Sequence, residues 1–238
     1  MAIDKSGLTC GWKDVATGGT APEYSGVLTT GAKYGEKYWR SEIVLRSNRQ
    51  AYSGVKPDYV QLRGGDTLTV SFDMWTSGFN ALPSDASTTF FQLHGPTLKG
   101  TWPGPPVTLS LRAGTIRLGG GYAVPTPSGG TTATYGSTHP TYTPYVDGQW
   151  RSVSITTVIG GDGVVSLDIQ GQRVADAWAP AAGTIYTAAT SGDWRHAYLY
   201  AKVGCYGYSN NAATTKPLLI KMSNIVVDHN GYSFSSVV

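Results

Sequence analysis

The 238 residues predict an all-β chain, folded as a two-layer sandwich or jelly roll, and three observations carry that expectation. Tyr, Thr, Ser, Val and Gly dominate, while Glu occurs only at Glu23, Glu36 and Glu42, which is a composition of pleated strands and turns. No long window places apolar residues at the spacing of a helix face. Instead, short runs of alternating apolar and polar residues recur between turn residues, a pattern that favours a sandwich over alternating strands and helices. A chain of this length suits one all-β domain with a large core. With no linker and no internal repeat to divide it, a single domain over 1–238 is expected.

Residues 1–23 are irregular and rich in Gly, Thr and Ala, and read as an arm along the sheet edges. Strand-like runs follow at 25–30, 37–47, 67–76, 88–94, 107–112 and 115–118. Pro83, Pro96, Pro103, Pro105 and Pro106 fall between them and mark connections, because proline lacks the N–H a central strand must donate. Residues 119–145 show little regular alternation and read as a long loop. Its Tyr122, Tyr135, Tyr142, Tyr145 and His139 either close over a sugar chain or belong to mobile surface. Runs at 150–159 and 164–169 flank Gly160-Gly161-Asp162-Gly163 as a hairpin, and 168–176 reads as a further strand and tight turn. The last runs are 198–208 and 218–228, the latter with imperfect alternation.

A net charge of +3 and a pI near 8.8 come without a Lys/Arg block, so no nucleic-acid partner is expected. The weak positive bias suits an acidic polymer. No apolar stretch is long enough to span a bilayer, so no membrane partner is expected, and a monomer is. The opening Met1-Ala2-Ile3-Asp4-Lys5-Ser6 lacks the apolar run of a secretory signal. Either a leader has been removed or export follows another route, such as assembly into a virus particle; the expected location is extracellular or virion-associated. Cys10 and Cys205 permit one disulfide, and their spacing leaves the pairing open. Cys205 falls on the apolar side of its run, which favours a small buried side chain over a reactive thiol.

Three runs combine an apolar side with a chemically active one. Tyr200, Lys202, Gly204, Tyr206 and Tyr208 alternate with Ala201, Val203 and Cys205. Arg40, Glu42, Val44 and Arg46 alternate with Trp39, Ser41, Ile43 and Leu45, and Gln92 and His94 alternate with Phe91 and Leu93. Singly, each is better explained by a solvated cross-strand pair, a satisfied histidine or an exposed strand face. Joined in one sheet, Arg, Gln, His, Lys and Tyr would converge on one surface. His94, His139, His196 and His229 are scattered without ligand spacing, so no catalytic metal or other cofactor is expected, while the sequence neither supports nor excludes a structural calcium ion held by loop oxygens. A glycoside hydrolase needs two carboxylates about the scissile bond, and no Glu here pairs with an Asp at alternating spacing. The stronger rival is a noncatalytic carbohydrate-binding module, with Trp102, Trp150, Trp178 and Trp194 as stacking surfaces.

Arg40-Ser41-Glu42, Gln92-Leu93-His94 and Tyr200-x-Lys202-x-Gly204-x-Tyr206 resemble the three signature strands of the family-seven alginate lyases and their relatives, the heparin lyase I-like and glucuronan lyases. Lys221-Met222-Ser223-Asn224-Ile225-Val226-Val227 is similar to the closing strand of the heparin lyase I-like group. The resemblance implies a concanavalin A-like β-jelly-roll sandwich of two antiparallel sheets, with an open groove on the concave sheet. It also implies β-elimination on an acidic, uronic-acid-containing polysaccharide. Arg40 would bind the sugar carboxylate, with Gln92 and His94 hydrogen-bonding it, and Tyr206 would serve as base, acid or both. His94 is the rival base, chosen by whether the departing groups are syn or anti. Glu42 would orient Arg40 or Arg46, while Lys202 and Arg40 would favour the phenolate of Tyr206, whose ordinary pKa is about 10. Tyr200, Tyr208, Tyr122, His139, Arg46 and Lys202 complete the expected substrate contacts. The chain departs from the family pattern at Val44, where a second Arg is usual, at Leu93, and at Tyr208, where Gln is usual. These departures bear on the choice of polymer more than on the elimination.

Overall fold

A computed structural model describes residues 8–10, 23–26, 29–30, 37–45, 62, 64–82, 84–94, 105–125, 131–160, 163–179, 200–209 and 218–236. For the strands before residue 46, and for His94, 121–125, 131–137, 141–142, Tyr200, Cys205, 208–209, 218–219 and 232–236, the description is of the backbone. Alternation decides which side of each strand is buried. In β5 (Thr67–Ser77), Leu68, Val70, Phe72, Met74 and Thr76 turn inward, and the residues between them face out. The same period governs β7 (Val107–Arg112), β10 (Arg151–Val158) and β11 (Val165–Ile169).

The other strands are β1 (Leu8–Cys10), β2 (Glu23–Gly26), β3 (Thr29–Thr30), β4 (Lys37–Leu45), β6 (Ser87–His94), β8 (Thr115–Pro125), β9 (Thr131–Pro144), β12 (Gln172–Trp178), β13 (Tyr200–Ser209), β14 (Leu218–His229) and β15 (Tyr232–Ser236). They form two antiparallel sheets. The first has the order β1-β4-β13-β6-β7-β8-β9, with β3 also on β4; the second runs β12-β11-β10-β5-β14-β15, with β2 on β14. The chain passes from sheet to sheet between β1 and β2, β2 and β3, β4 and β5, β5 and β6, β9 and β10, β12 and β13, and β13 and β14, so each layer is woven from distant segments. This is the connectivity of a β-jelly roll. Between the layers, Phe90, Phe91, Leu93, Leu109, Leu118 and Val203 meet Phe72, Met74, Ile155, Leu167, Ile220 and Val227. Phe72 and Phe90 join the layers edge to face, with centroids 6.2 Å apart.

Three expectations change. Within 119–145 the described residues through Pro144 are strand and not loop: β8 and β9 pair antiparallel. Register shifts between Arg117 and Gly119, and between Gly120 and Tyr122, erase the period-two signal there. Pro140 and Pro144 are tolerated because β9 is the last strand of its sheet. Second, part of the amino-terminal arm is strand, β1 pairing with β4; most of the arm lies outside the described residues. Third, β14 does not end the chain's strands, because Asn230-Gly231 turns it into β15 on the sheet's edge. The irregular alternation of β14 has a local cause. Asn224 adopts φ 50 at a register shift, so the inward set changes from Ile220 and Met222 to Ile225 and Val227. The hairpin expected at 160–163 is present, closed by Val158 N–H donating to the Val164 carbonyl at 2.9 Å.

Cys10 stands opposite Ile43 on one side of β4, and Cys205 stands opposite Ser41 on the other. Two strand spacings amount to roughly 9–10 Å, beyond the Cα separation a disulfide spans.

Candidate active site

The three chemically active runs lie side by side, with β13 between β4 and β6. Along one border Tyr206 pairs with Arg40, Gly204 with Glu42 and Lys202 with Val44. Along the other, Lys202 pairs with Gln92 and Tyr200 with His94. Directly opposed positions of an antiparallel pair belong to the same face of the sheet. The register therefore gathers the positions of Arg40, Gln92, His94, Lys202 and Tyr206 onto one face. The opposite face of these strands carries Phe91, Leu93, Ala201 and Val203, all in the core. Packing against the second sheet fixes which way each strand turns, and period two then assigns the polar residues to the other side.

That polar side is not an ordinary solvated face. Gln92 is only 3% exposed and Lys202 only 7%, although lysine is rarely buried without a compensating partner. Both take part in polar or electrostatic contacts, as does half-buried Tyr206. The outward face of the second sheet is different. There, hydroxyls pair across strands, Thr69 with Thr156 at 2.9 Å and Ser71 with Ser154 at 2.8 Å, while Asn224 Nδ2 donates to Asp73 Oδ2 at 2.6 Å. A buried ammonium, a buried amide and a phenol on one face form a receptive setting for an anionic group.

Two irregularities tune the ladder. Between Val203 and Tyr206, β13 has one more residue than β6, while its pairing with β4 is continuous. Gly204, at φ 133, occupies this bulge in a conformation that side chains resist. Glycine at this point of the motif thus meets a backbone requirement. On β6, an extra residue between Thr89 and Phe91 relative to β7 lets both Phe90 and Phe91 enter the core. It also brings Thr89 opposite Tyr206 on the polar side. Sequence reasoning missed Thr89, because two consecutive inward Phe residues hide the change of parity.

The remaining expected residues scatter. Tyr208 stands opposite Tyr38 and Ser87, one residue pair beyond Gly207. Tyr122 pairs with Thr134 between β8 and β9. His139 lies on β9, at the far edge of the sheet, where its ring meets Trp178 of β12 edge to face at 5.6 Å. The structure does not bring His139 together with the β4-β13-β6 group. Arg46 lies outside the described residues, as do Trp102 and Trp194. Trp150 is 46% exposed at the start of β10, its carbonyl accepting from Gln170 Nε2 at 3.0 Å. Among the described residues, no three His, Cys, Asp or Glu side chains are grouped to hold a metal ion.

No protein-family model matches the chain, and no curated protein matches it. Solved structures do match in shape. A variant of the family 7 alginate lyase A1-II′, in complex with the substrate GGMG, is similar over 93% of this chain and 83% of its own, at 21% identity and a TM-score of 0.56. Another variant of that lyase, in complex with the product GGG, matches over 92% and 84% of the two chains at 21% identity and a TM-score of 0.54. An alginate lyase from Pseudomonas aeruginosa matches over 92% and 86%, at 20% identity and a TM-score of 0.53. At these identities the likeness shows the fold, a jelly-roll sandwich of two antiparallel sheets.

Proposed function

We propose that the protein is a polysaccharide lyase that cleaves a uronic-acid-containing polymer by β-elimination in a groove over β4, β13 and β6. The observation that carries this reading is the register: three motifs far apart in the chain fall on adjacent strands, with Arg40 opposite Tyr206, Gln92 opposite Lys202 and His94 opposite Tyr200. The similar structures named as alginate lyases support the same reading.

The chemistry sets the demand on the site. The proton to be removed is on C5, next to the sugar carboxylate, and its departure places a second negative charge on an anionic group. Arg40, Gln92 and His94 neutralise and hydrogen-bond that carboxylate, so the enolate-like state is stabilised more than the ground state. The base takes the C5 proton, the electron pair forms the C4–C5 double bond, and the C4–O bond breaks. A proton passes to the departing glycosidic oxygen, which leaves as an alcohol. Tyr206 serves as acid, as base, or as both, with Lys202 and Arg40 favouring its phenolate; His94 is the alternative base. The polymer is a polyuronate such as alginate or glucuronan, a glycosaminoglycan or a bacterial capsule.

A second reading, a noncatalytic carbohydrate-binding module, draws support from the exposed indole of Trp150. One experiment separates the two. Incubation with a panel of acidic polysaccharides, followed in the ultraviolet band of conjugated unsaturated uronates, is expected to show new unsaturated ends with at least one polymer. Retention of a polymer with no such ends would support the binding module.

A further inference from the structure

The pairing of the first sheet continues well beyond the three motif strands. One row of opposed positions crosses six strands, from Arg40 through Tyr206, Thr89, Ser110 and Arg117 to Tyr142. Ile116 and Leu118, on either side of Arg117, are buried in the core, so Arg117 belongs to the same outward face as Thr89 and Ser110. Between Tyr206 and Arg117 the row holds only those two small hydroxyl side chains. The span is three strand spacings, about 14 Å. Arg117 is also oriented: its Nε donates to Thr115 Oγ1 at 3.1 Å, and the Thr115 hydroxyl donates to the Arg112 carbonyl at 2.8 Å. A guanidinium stays charged at all working pH values, and its planar fork matches a carboxylate.

We propose that Arg117 binds a carboxylate of the polymer in a subsite remote from the point of cleavage, so that the chain lies across the strands from β4 toward β8 over a low floor of Thr89 and Ser110. This rests on the polyuronate reading of the site. A polyuronate repeats its carboxylate at every acidic sugar, so a chain engaged at Arg40 carries further carboxylates along the row. A contact this far from the bond being broken strengthens binding of long chains and leaves the bond-breaking step of bound substrate unchanged.

The test is the binding of alginate and polyglucuronate, each as long chains and as disaccharides, by calorimetry and affinity electrophoresis. Arg117→Gln is expected to weaken binding of long chains by roughly tenfold, the scale of losing one charge-assisted contact at a half-exposed position. Its binding of disaccharides and its melting temperature stay at wild-type values, and Arg117→Lys recovers part of the loss. Ser110→Asp, which puts a like charge on the floor, is expected to weaken long-chain binding as well. Undiminished long-chain binding by both Arg117→Gln and Ser110→Asp, or equal losses on long chains and disaccharides, would overturn the inference, as would a wild-type protein that retains neither polymer. A wild-type protein that binds long chains through Arg117 yet releases no unsaturated ends would uphold this subsite and sink the lyase reading.

Discussion

Replacing Thr157 by valine is expected to stabilise the protein. Thr157 is on the inward side of β10, in line with Val153 and Ile155, opposite Leu68 of β5. It is fully buried, and its Oγ1 has no hydrogen-bond partner among the described residues. An unpaired hydroxyl in apolar surroundings costs about 1–3 kcal/mol. Valine puts a methyl where the hydroxyl stood, so it leaves no cavity and keeps the β-branched shape that suits a strand. Allowing for imperfect repacking, a net gain of about 1–2 kcal/mol is expected, which for a protein of this size raises the melting temperature by roughly 2–8 °C. Thermal and urea melts of wild type and Thr157→Val give the comparison. Thr157→Ser serves as control: it retains the hydroxyl, loses a methyl, and is expected to lower stability by about 1 kcal/mol. A Thr157→Val protein no more stable than wild type would refute the reasoning, because it would mean the hydroxyl is satisfied.

Other perturbations test the site and its support. Gly204→Ala must hold a side chain at φ 133 within the bulge beside Tyr206, so it is expected to cost about 1–3 kcal/mol in melting experiments and to reduce turnover further. Tyr145→Phe removes a buried phenol that shares a hydrogen bond with Thr76 and donates to Asp147 Oδ1, at an expected cost of about 1–3 kcal/mol at neutral pH. Burial, reinforced by the bond to Asp147, raises the pKa of Tyr145. The folded state therefore holds the phenolic proton more tightly than the unfolded state does. The stability this proton confers is full below the unfolded value of about 10 and is lost as pH rises beyond it. Wild type should consequently lose stability above that pH more steeply than Tyr145→Phe, as read from melts across the alkaline range; parallel curves would contradict the assignment.

Much of the sheet was legible because its strands face two different environments. Alternation in 37–47, 88–94 and 198–208 identified both the side that packs and the side that carries Arg, Gln, His, Lys and Tyr, and β4, β6 and β13 follow closely. What alternation cannot encode is pairing between distant strands. That Tyr206 stands opposite Arg40, and Lys202 opposite Gln92, is set by the crossings between layers and by the bulge at Gly204. Bulges also explain the failures. They hid the parity of Thr89, disguised β8 and β9 as a loop, and disturbed the alternation of β14. Pro140 and Pro144 fit within β9 because they sit on an edge whose N–H groups need no partner. The Asn230-Gly231 dipeptide before Tyr232 was a usable hairpin signal for β15. No comparable signal announced β1, a strand of only three residues.

The central claim is tested most directly by following unsaturated uronate ends released from a retained polyuronate by wild type and by Tyr206→Phe, at equal amounts of folded protein. The account predicts steady release by wild type and a loss of about 10²–10⁴-fold in the variant, with polymer retention preserved. Saturated ends from wild type, or unsaturated ends formed equally fast without the phenol, would contradict it.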